Sequence, residues 1–189
     1  MDRALKNEVV DALGLGVPAR VRLGSGTVLE EYALDVHRWR GATSHSLNDD
    51  CRKGHGLLEA PDGSLSCLEV EVTRRLRDAG GNRWQVGWVQ AFPCGRNRWR
   101  EWVFTDLPSA IWKRNRRIQI ALAATEHRSP KEGVPGHPDV AVARGDSVVY
   151  IECKTTDSLG PQAGWIETGL RLKVFDPGDV IVVRGAFVN

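Results

Sequence analysis

Two short hydrophobic runs around Gly145-Asp146 constrain the fold more than any other part of this 189-residue chain. A glycine in the first position of a two-residue pair suits the tight turn of a β-hairpin. With those two residues as the turn, residue 144 faces residue 147, and Asp139 faces Glu152. Both faces of the two strands are apolar, which is typical of strands that are covered on both sides. The sequence therefore predicts a buried hairpin with an acid at the open end of each arm.

The two acids should lie within reach of one ion. Residues directly opposite each other on one face have Cβ atoms about 4.5–5.5 Å apart. The period-two alternation of strand side chains also places Lys154 on the face of Glu152 and turns Cys153 to the other face. Burial and repulsion disfavour two ionised acids there, and a divalent cation removes that difficulty. The alternative is a solvated or salt-bridged surface cluster, because the spacing pattern is loose.

The same residues resemble a known nuclease signature. Pro138-Asp139, twelve intervening positions and Glu152-Cys153-Lys154 are similar to the motif of the PD-(D/E)XK nuclease superfamily. The continuation through Gln162 looks like its VRR-NUC branch, in which a polar loop leads into a Gln-bearing helix. The resemblance covers residues 136–186 and does not extend over the N-terminal half.

This resemblance implies a Mg²⁺- or Mn²⁺-dependent nuclease that hydrolyses nucleic acid, with DNA endonuclease activity expected first. Asp139, Glu152 and the carbonyl of Cys153 would hold the metal. Lys154 would orient a water or neutralise developing charge, and Gln162 would have an accessory role at the start of its helix. The resemblance also implies one more acid, supplied by the helix that precedes the core sheet.

A helix is predicted from Ser66, as its N-cap, to Ala79 before two glycines. Glu69 lies closer than Glu71 to the apolar stripe of this helix, so Glu69 is expected to face the sheet and join the catalytic and metal-binding acids. Glu71 and the more distant Glu31 are the substitutes.

The N-terminal region offers a different metal chemistry. Residues 4–13 are predicted to form a helix, residues 29–39 a second one, and residues 41–63 a long loop. Four soft or borderline donors occur within and just before that loop, and they could chelate zinc: His37, His45, Cys51 and His55. Their spacing matches no common finger pattern, so solvated loop histidines are the preferred interpretation.

A basic stretch follows the tryptophan-rich strands predicted at residues 84–92 and 99–104. The tryptophans are expected in the core rather than stacked on bases. Asp106 is predicted to cap a helix over residues 107–125, whose polar face carries four cations: Lys113, Arg114, Arg116 and Arg117. These side chains are expected to track phosphates, although a solvated helix face explains them equally well.

The predicted fold is a single α/β domain of the restriction-endonuclease-like class, with a mixed central sheet flanked by helices. Residues 65–189 would form the nuclease-like core, with residues 180–183 as its closing strand, and residues 1–64 an accessory region. A helix beginning at Pro161 would make the crossover to that strand.

Composition adds few limits. The net charge of +2 is too small to identify a partner, and no apolar run is long enough for a membrane span. The four cysteines lack a C-x-x-C spacing, so a reduced, cytoplasmic protein is expected.

Cleavage of both strands of a duplex would need two sites and hence a homodimer. The alternative function is a nucleic-acid-binding or regulatory module that does not cleave, and a zinc-dependent module is a third hypothesis.

Overall fold

The computed structural model describes residues 3–38, 40, 58–59, 61, 63, 65–88, 109–125, 138–155 and 159–188. The helices within these residues are α1 (Arg3–Leu13), α2 (Leu68–Gly80), α3 (Ser109–Thr125) and α4 (Gly160–Arg171). The strands are β1 (Ala19–Arg22), β2 (Val28–Arg38), β3 (Leu58–Glu59), β4 (Leu65–Ser66), β5 (Gln85–Trp88), β6 (Val140–Arg144), β7 (Ser147–Lys154) and β8 (Val180–Val188).

The described strands form one mixed sheet in the order β4-β3-β2-β8-β7-β6-β5, and β1 pairs with β2 beside this path. Strands β2, β8 and β7 run parallel to one another, whereas the remaining pairs are antiparallel. The expected mixed α/β architecture is confirmed. None of the described helices combines the length and apolar character that crossing a membrane requires.

Helices cover both faces of this sheet. On one face, Leu5 and Val9 of α1 and Val72 of α2 pack in one hydrophobic cluster. On the other face, Ile118 of α3 and Trp165 of α4 belong to a second cluster. The central strands are therefore apolar on both sides, which is why a charged side chain within them stands out in the sequence.

The hairpin register is as predicted. Residue 144 pairs with 147, and Val140 pairs with Ile151 at the far end. Gly145 has a φ of +58°, a conformation that glycine adopts without steric cost, and Asp146 does not share it. A positive φ at the first turn position alone is the pattern of a type II′ hairpin turn, which fits the right-handed twist of the strands.

The helix predicted over residues 29–39 is wrong, because this segment is the central strand β2. Leu29, Tyr32 and Val36 have helical spacing, yet Tyr32, Leu34 and Val36 alternate into one hydrophobic cluster while Leu29 joins the other. The apolar residues of this short stretch thus fit both the helical spacing and the alternation of a strand. Its pairing with β8 decides in favour of the strand.

The helix predicted after Ser66 is present, but its start differs. Ser66 belongs to β4, and Cys67 occupies the N-cap position without a side-chain cap hydrogen bond. The Ser66 hydroxyl instead donates to the Cys67 carbonyl at 3.3 Å. Helix α3 begins at Ser109 rather than at residue 107, and the proposed cap Asp106 and the strand at residues 99–104 lie outside the described residues.

Strand β8 is not a closing strand, because β7 and β2 flank it on its two sides. The region predicted to be accessory thus supplies β2 to the middle of the sheet and α1 to one hydrophobic cluster. Strands β3 and β4, on either side of the boundary at residues 64 and 65, pair with each other. Trp84 of the tryptophan-rich segment is buried and donates its indole N–H to the Leu76 carbonyl at 3.0 Å.

Candidate active site

Asp139 and Glu152 meet at the open end of the hairpin. Strand β6 begins one residue after Asp139, and continuation of its register places Asp139 opposite Glu152. The backbone N–H of Cys153 donates to Oδ2 of Asp139 at 2.8 Å. The Asp139 carboxylate therefore accepts the hydrogen bond that a backbone carbonyl would accept if the β6–β7 ladder continued. The ladder ends there, and the hydrogen bond fixes the Asp139 side chain against β7.

Glu152 and Lys154 form a buried ion pair next to this carboxylate. Their side chains alternate onto the face of Tyr150, and Nζ of Lys154 lies 2.9 Å from Oε1 of Glu152. Glu152 is 0% exposed and Lys154 is 5% exposed, because β6 and β8 enclose β7 on both sides. Burying two charges has a large desolvation cost. The stability of the sheet alone therefore does not explain why the Glu152–Lys154 ion pair lies in its interior.

Two other carboxylates act on Asp139 at this end of the sheet. Burial raises the pKa of Asp139 well above its ordinary value, and the negative charges of Glu152 and Glu69 raise the pKa further. The Cys153 N–H and the Lys154 ammonium act in the opposite direction without outweighing those causes. Of the side-chain charges that act on Asp139, those of Glu152 and Glu69 are negative and that of Lys154 is positive.

Glu69 is the acid of α2 whose charge reaches Asp139, in agreement with its position on the helix. The two substitutes are both paired with arginines. Glu71 is buried and pairs with Arg74 and Arg75, each at 2.7 Å. Glu31 accepts both ends of the Arg184 guanidinium, at 3.0 and 2.9 Å.

Cys153 contributes its backbone rather than its thiol. Its side chain packs in the hydrophobic cluster opposite to Glu152, and burial raises the pKa of the thiol well above its ordinary value. Since the N–H and C=O groups of one strand residue point to the same edge of the strand, the Cys153 carbonyl is directed toward the Asp139 side. The carbonyl is thus the group of Cys153 that could bind a cation.

The structure does not bring the predicted basic residues beside the acids. Arg114 donates to the carbonyl of Asp146 at 3.0 Å, so it lies at the turn end of the hairpin. Seven residue steps of about 3.3 Å separate Ser147 from Lys154, a distance of roughly 23 Å. Lys113, Arg116 and Arg117 are exposed on the same N-terminal half of α3. The positions of these four basic residues therefore do not support the prediction that they bind phosphates next to the carboxylates.

Two other predictions, the role of Gln162 and the zinc site, involve side chains outside the described part of the chain. Gln162 lies in the first turn of α4, and its side chain is outside the described part of the structure. His37 is exposed on β2, whereas His45, Cys51 and His55 lie outside the described residues. The zinc hypothesis thus stays a prediction.

Arg184 is the neighbour of this site that the sequence analysis missed. It pairs with Lys154 in the parallel register of β7 and β8, and it is held by Glu31 across β2. A signal was present, because an arginine directly follows the apolar residues 180–183. Extending that strand by one residue would have included Arg184 in it, although the parallel register that pairs Arg184 with Lys154 could not be derived in this way.

The donor set fits a hard cation. Carboxylate and carbonyl oxygens are the ligands of Mg²⁺, which often needs only one or two carboxylates because waters complete its octahedron. Among the described residues, no group of three or more histidine, cysteine or acidic side chains is arranged to enclose a metal ion. No protein-family model, curated protein or solved structure matches this chain.

Proposed function

We propose that this protein is a metal-dependent nuclease that cleaves DNA internally. One observation carries the proposal: Asp139 and Glu152 lie opposite each other at the end of the hairpin, beside the buried Lys154, and the charges of Glu152 and Glu69 both act on Asp139. Excess negative charge at the end of a buried hairpin is costly unless a cation balances it. The order of α2, β5, the acidic hairpin, α4 and a parallel β8 supports the restriction-endonuclease-like fold that the resemblance implies.

In this proposal, Asp139 and Glu152 would hold Mg²⁺ or Mn²⁺, with the Cys153 carbonyl and Glu69 completing the protein ligands. When bound, such an ion supplies Lewis-acid chemistry and lowers the pKa of water. The Cys153 N–H keeps Asp139 oriented through its 2.8 Å hydrogen bond. Lys154 is fixed by Glu152 and presents a positive charge where negative charge develops on the phosphate.

The test is cleavage of labelled DNA and RNA, as single strands, duplexes and flaps, in Mg²⁺, Mn²⁺ or EDTA. Glu152→Gln and Asp139→Asn should each lower turnover by about a hundredfold or more, which corresponds to at least about 2.7 kcal/mol. Asp78→Asn, an exposed acid on α2, is the control and should cleave like the wild type. Undiminished cleavage by the Glu152 variant would refute the proposal.

A non-cleaving nucleic-acid-binding module on the same fold is the second candidate. The 2.9 Å ion pair favours it, because Lys154 already neutralises part of the charge of Glu152. This candidate predicts nucleic-acid binding that persists in EDTA together with no cleavage in any divalent ion. Cleavage by the wild type that is lost in the Glu152 variant would exclude it. Either proposal requires a homodimer only if both strands of a duplex must be bound or cut together.

A further inference from the structure

A cleft of about 590 Å³ opens at the carboxyl ends of β2 and β8. Its apolar surface comes from Val36, Leu58 and Val188, and three arginines also line it: Arg38, Arg40 and Arg75. A volume of this size is in the range of pockets that accept nucleotide-sized ligands. In open α/β sheets, the crevice outside the carboxyl ends of parallel strands is a common ligand position.

Two of the three arginines of the cleft are held in place by their neighbours. Nε of Arg75 donates to Glu71 at 2.7 Å, and its Nη2 donates to the Asp35 carbonyl at 3.2 Å. The guanidinium of Arg38 stacks over the Phe187 ring, 4.2 Å from its centroid. A guanidinium that is already oriented loses less entropy on binding a phosphate.

The charge balance of the cleft favours an anion. Two acids also line it, and one of them, Glu71, is already paired with both Arg74 and Arg75. Within the described part of the chain, Arg38 and Arg40 form no ion pair with a carboxylate. Both side chains are exposed, so they are accessible to a ligand.

The cleft lies at the same edge of the sheet as the carboxylates. Lys154 pairs with Arg184 on β8, and Arg184 pairs with Ala33 on β2, so the three lie at one level of the sheet. Arg38 is five residues further along β2, or roughly 16 Å, and two strand spacings add about 10 Å sideways. In the plane of the sheet, the gap between cleft and carboxylates is therefore about 19 Å. The cleft lies on the face of α2, whereas Glu152 and Lys154 lie on the face of Tyr150, so a nucleic-acid strand that contacts both places passes over the end of the sheet.

We propose that this cleft binds the phosphate backbone of a nucleic-acid strand, several nucleotides away from the carboxylates. The inference rests on the proposed function, since it names the surface that guides the substrate to that site. At 3.4 Å per nucleotide, the gap corresponds to about five or six nucleotides of stacked strand. A mononucleotide could not contact both places, whereas an oligonucleotide of about ten residues could.

The experiment measures the binding of fluorescein-labelled single-stranded DNA of about ten nucleotides by fluorescence anisotropy in EDTA. Arg38→Ala and Arg40→Ala should each raise the Kd about fivefold to tenfold, and the slope of log K against log salt should become shallower by about 0.7 for each lost phosphate contact. Arg20→Ala, an exposed arginine on β1 that pairs with Glu30 at the opposite end of β2 from Arg38, is the matched control and should bind like the wild type. Unlabelled dinucleotide should compete at least tenfold more weakly than the unlabelled ten-nucleotide strand.

The outcomes separate this inference from the proposed function. Unchanged Kd and salt slope in both Arg38→Ala and Arg40→Ala would overturn the proposal for the cleft, whatever the Arg20 variant does and whether or not the wild type cleaves DNA. Absence of binding by the wild type would overturn it as well. If the wild type binds DNA through Arg38 and Arg40 but never cleaves it, the nuclease proposal is refuted and the proposal that the cleft binds nucleic acid is supported. Thermal melting of each variant confirms that it is folded.

Discussion

At the scale of single residues, the buried ion pair of Glu152 and Lys154 has the largest expected effect on stability. Lys154→Met leaves a buried carboxylate without its nearest cation, and we expect the free energy of unfolding in EDTA to fall by about 3–5 kcal/mol. The double variant Glu152→Gln, Lys154→Met removes both charges and should recover most of that loss. Urea unfolding measures both. Equal destabilisation of the single and double variants would show that the lysine contributes packing rather than charge.

Glu71 provides a pH prediction that does not depend on any metal. Burial raises the pKa of Glu71, but its hydrogen bonds from Arg74 and Arg75 outweigh burial and lower the pKa below its ordinary value. Between the lowered pKa and the ordinary one, the unfolded chain binds more protons. The stability from Glu71 is therefore present above about pH 4.3 and is lost as the pH falls through the lowered pKa.

Accordingly, Glu71→Gln should be clearly less stable than the wild type at pH 7, by about 1–3 kcal/mol, and the difference should narrow as the pH falls below about 4. Urea unfolding at several pH values measures this. Asp11→Asn, an exposed acid on α1, is the control. A difference between wild type and the Glu71 variant that stays constant with pH would contradict the prediction.

At the scale of elements, the packing of α4 depends on the absence of a side chain at Gly169. A Cβ there would lie 2.3 Å from Cζ of Phe175 and 3.0 Å from Cδ1 of Ile118. We expect Gly169→Ala to destabilise the protein by about 1–3 kcal/mol because Phe175 is buried against Trp165 and Tyr150.

Gly164 of the same helix is the matched control, since a Cβ there meets nothing within 4 Å. Gly164→Ala should stabilise α4 by up to about 1 kcal/mol through helix propensity alone. Thermal unfolding compares the two variants directly. If both substitutions stabilise, Phe175 can move aside more easily than its packing indicates.

The elements that could be predicted from the sequence are those whose partners are local. The β6–β7 pairing follows from one glycine turn, so the meeting of Asp139 and Glu152 could be derived from residue counting. The identity of β2 and the Glu31–Arg184 pair could not, because they depend on parallel pairing between segments far apart in the chain. No turn fixes such a register, and only the completed sheet selects it.

At the scale of the whole molecule, metal binding should appear as stability. A ligand that binds only the folded state adds RT ln(1 + [L]/Kd), or about 2.7 kcal/mol at a hundredfold excess over Kd. We expect Mg²⁺ to raise the Tm of the wild type relative to EDTA, and Asp139→Asn and Glu152→Gln to abolish most of that increase. Asp78→Asn should retain it. An equal increase in all four proteins would place the ion elsewhere on the surface.

The central position of β8 has a consequence for how the protein is made. Glu31 and Arg184, which the sheet joins, are separated by 153 residues. During translation β2 leaves the ribosome long before β8 is synthesised. The apolar strand β2 therefore remains without its parallel partner until then. The nascent chain should therefore depend on chaperone protection, and Asp139, Glu152 and Lys154 should acquire their final geometry only after the segment at residues 180–188 has emerged.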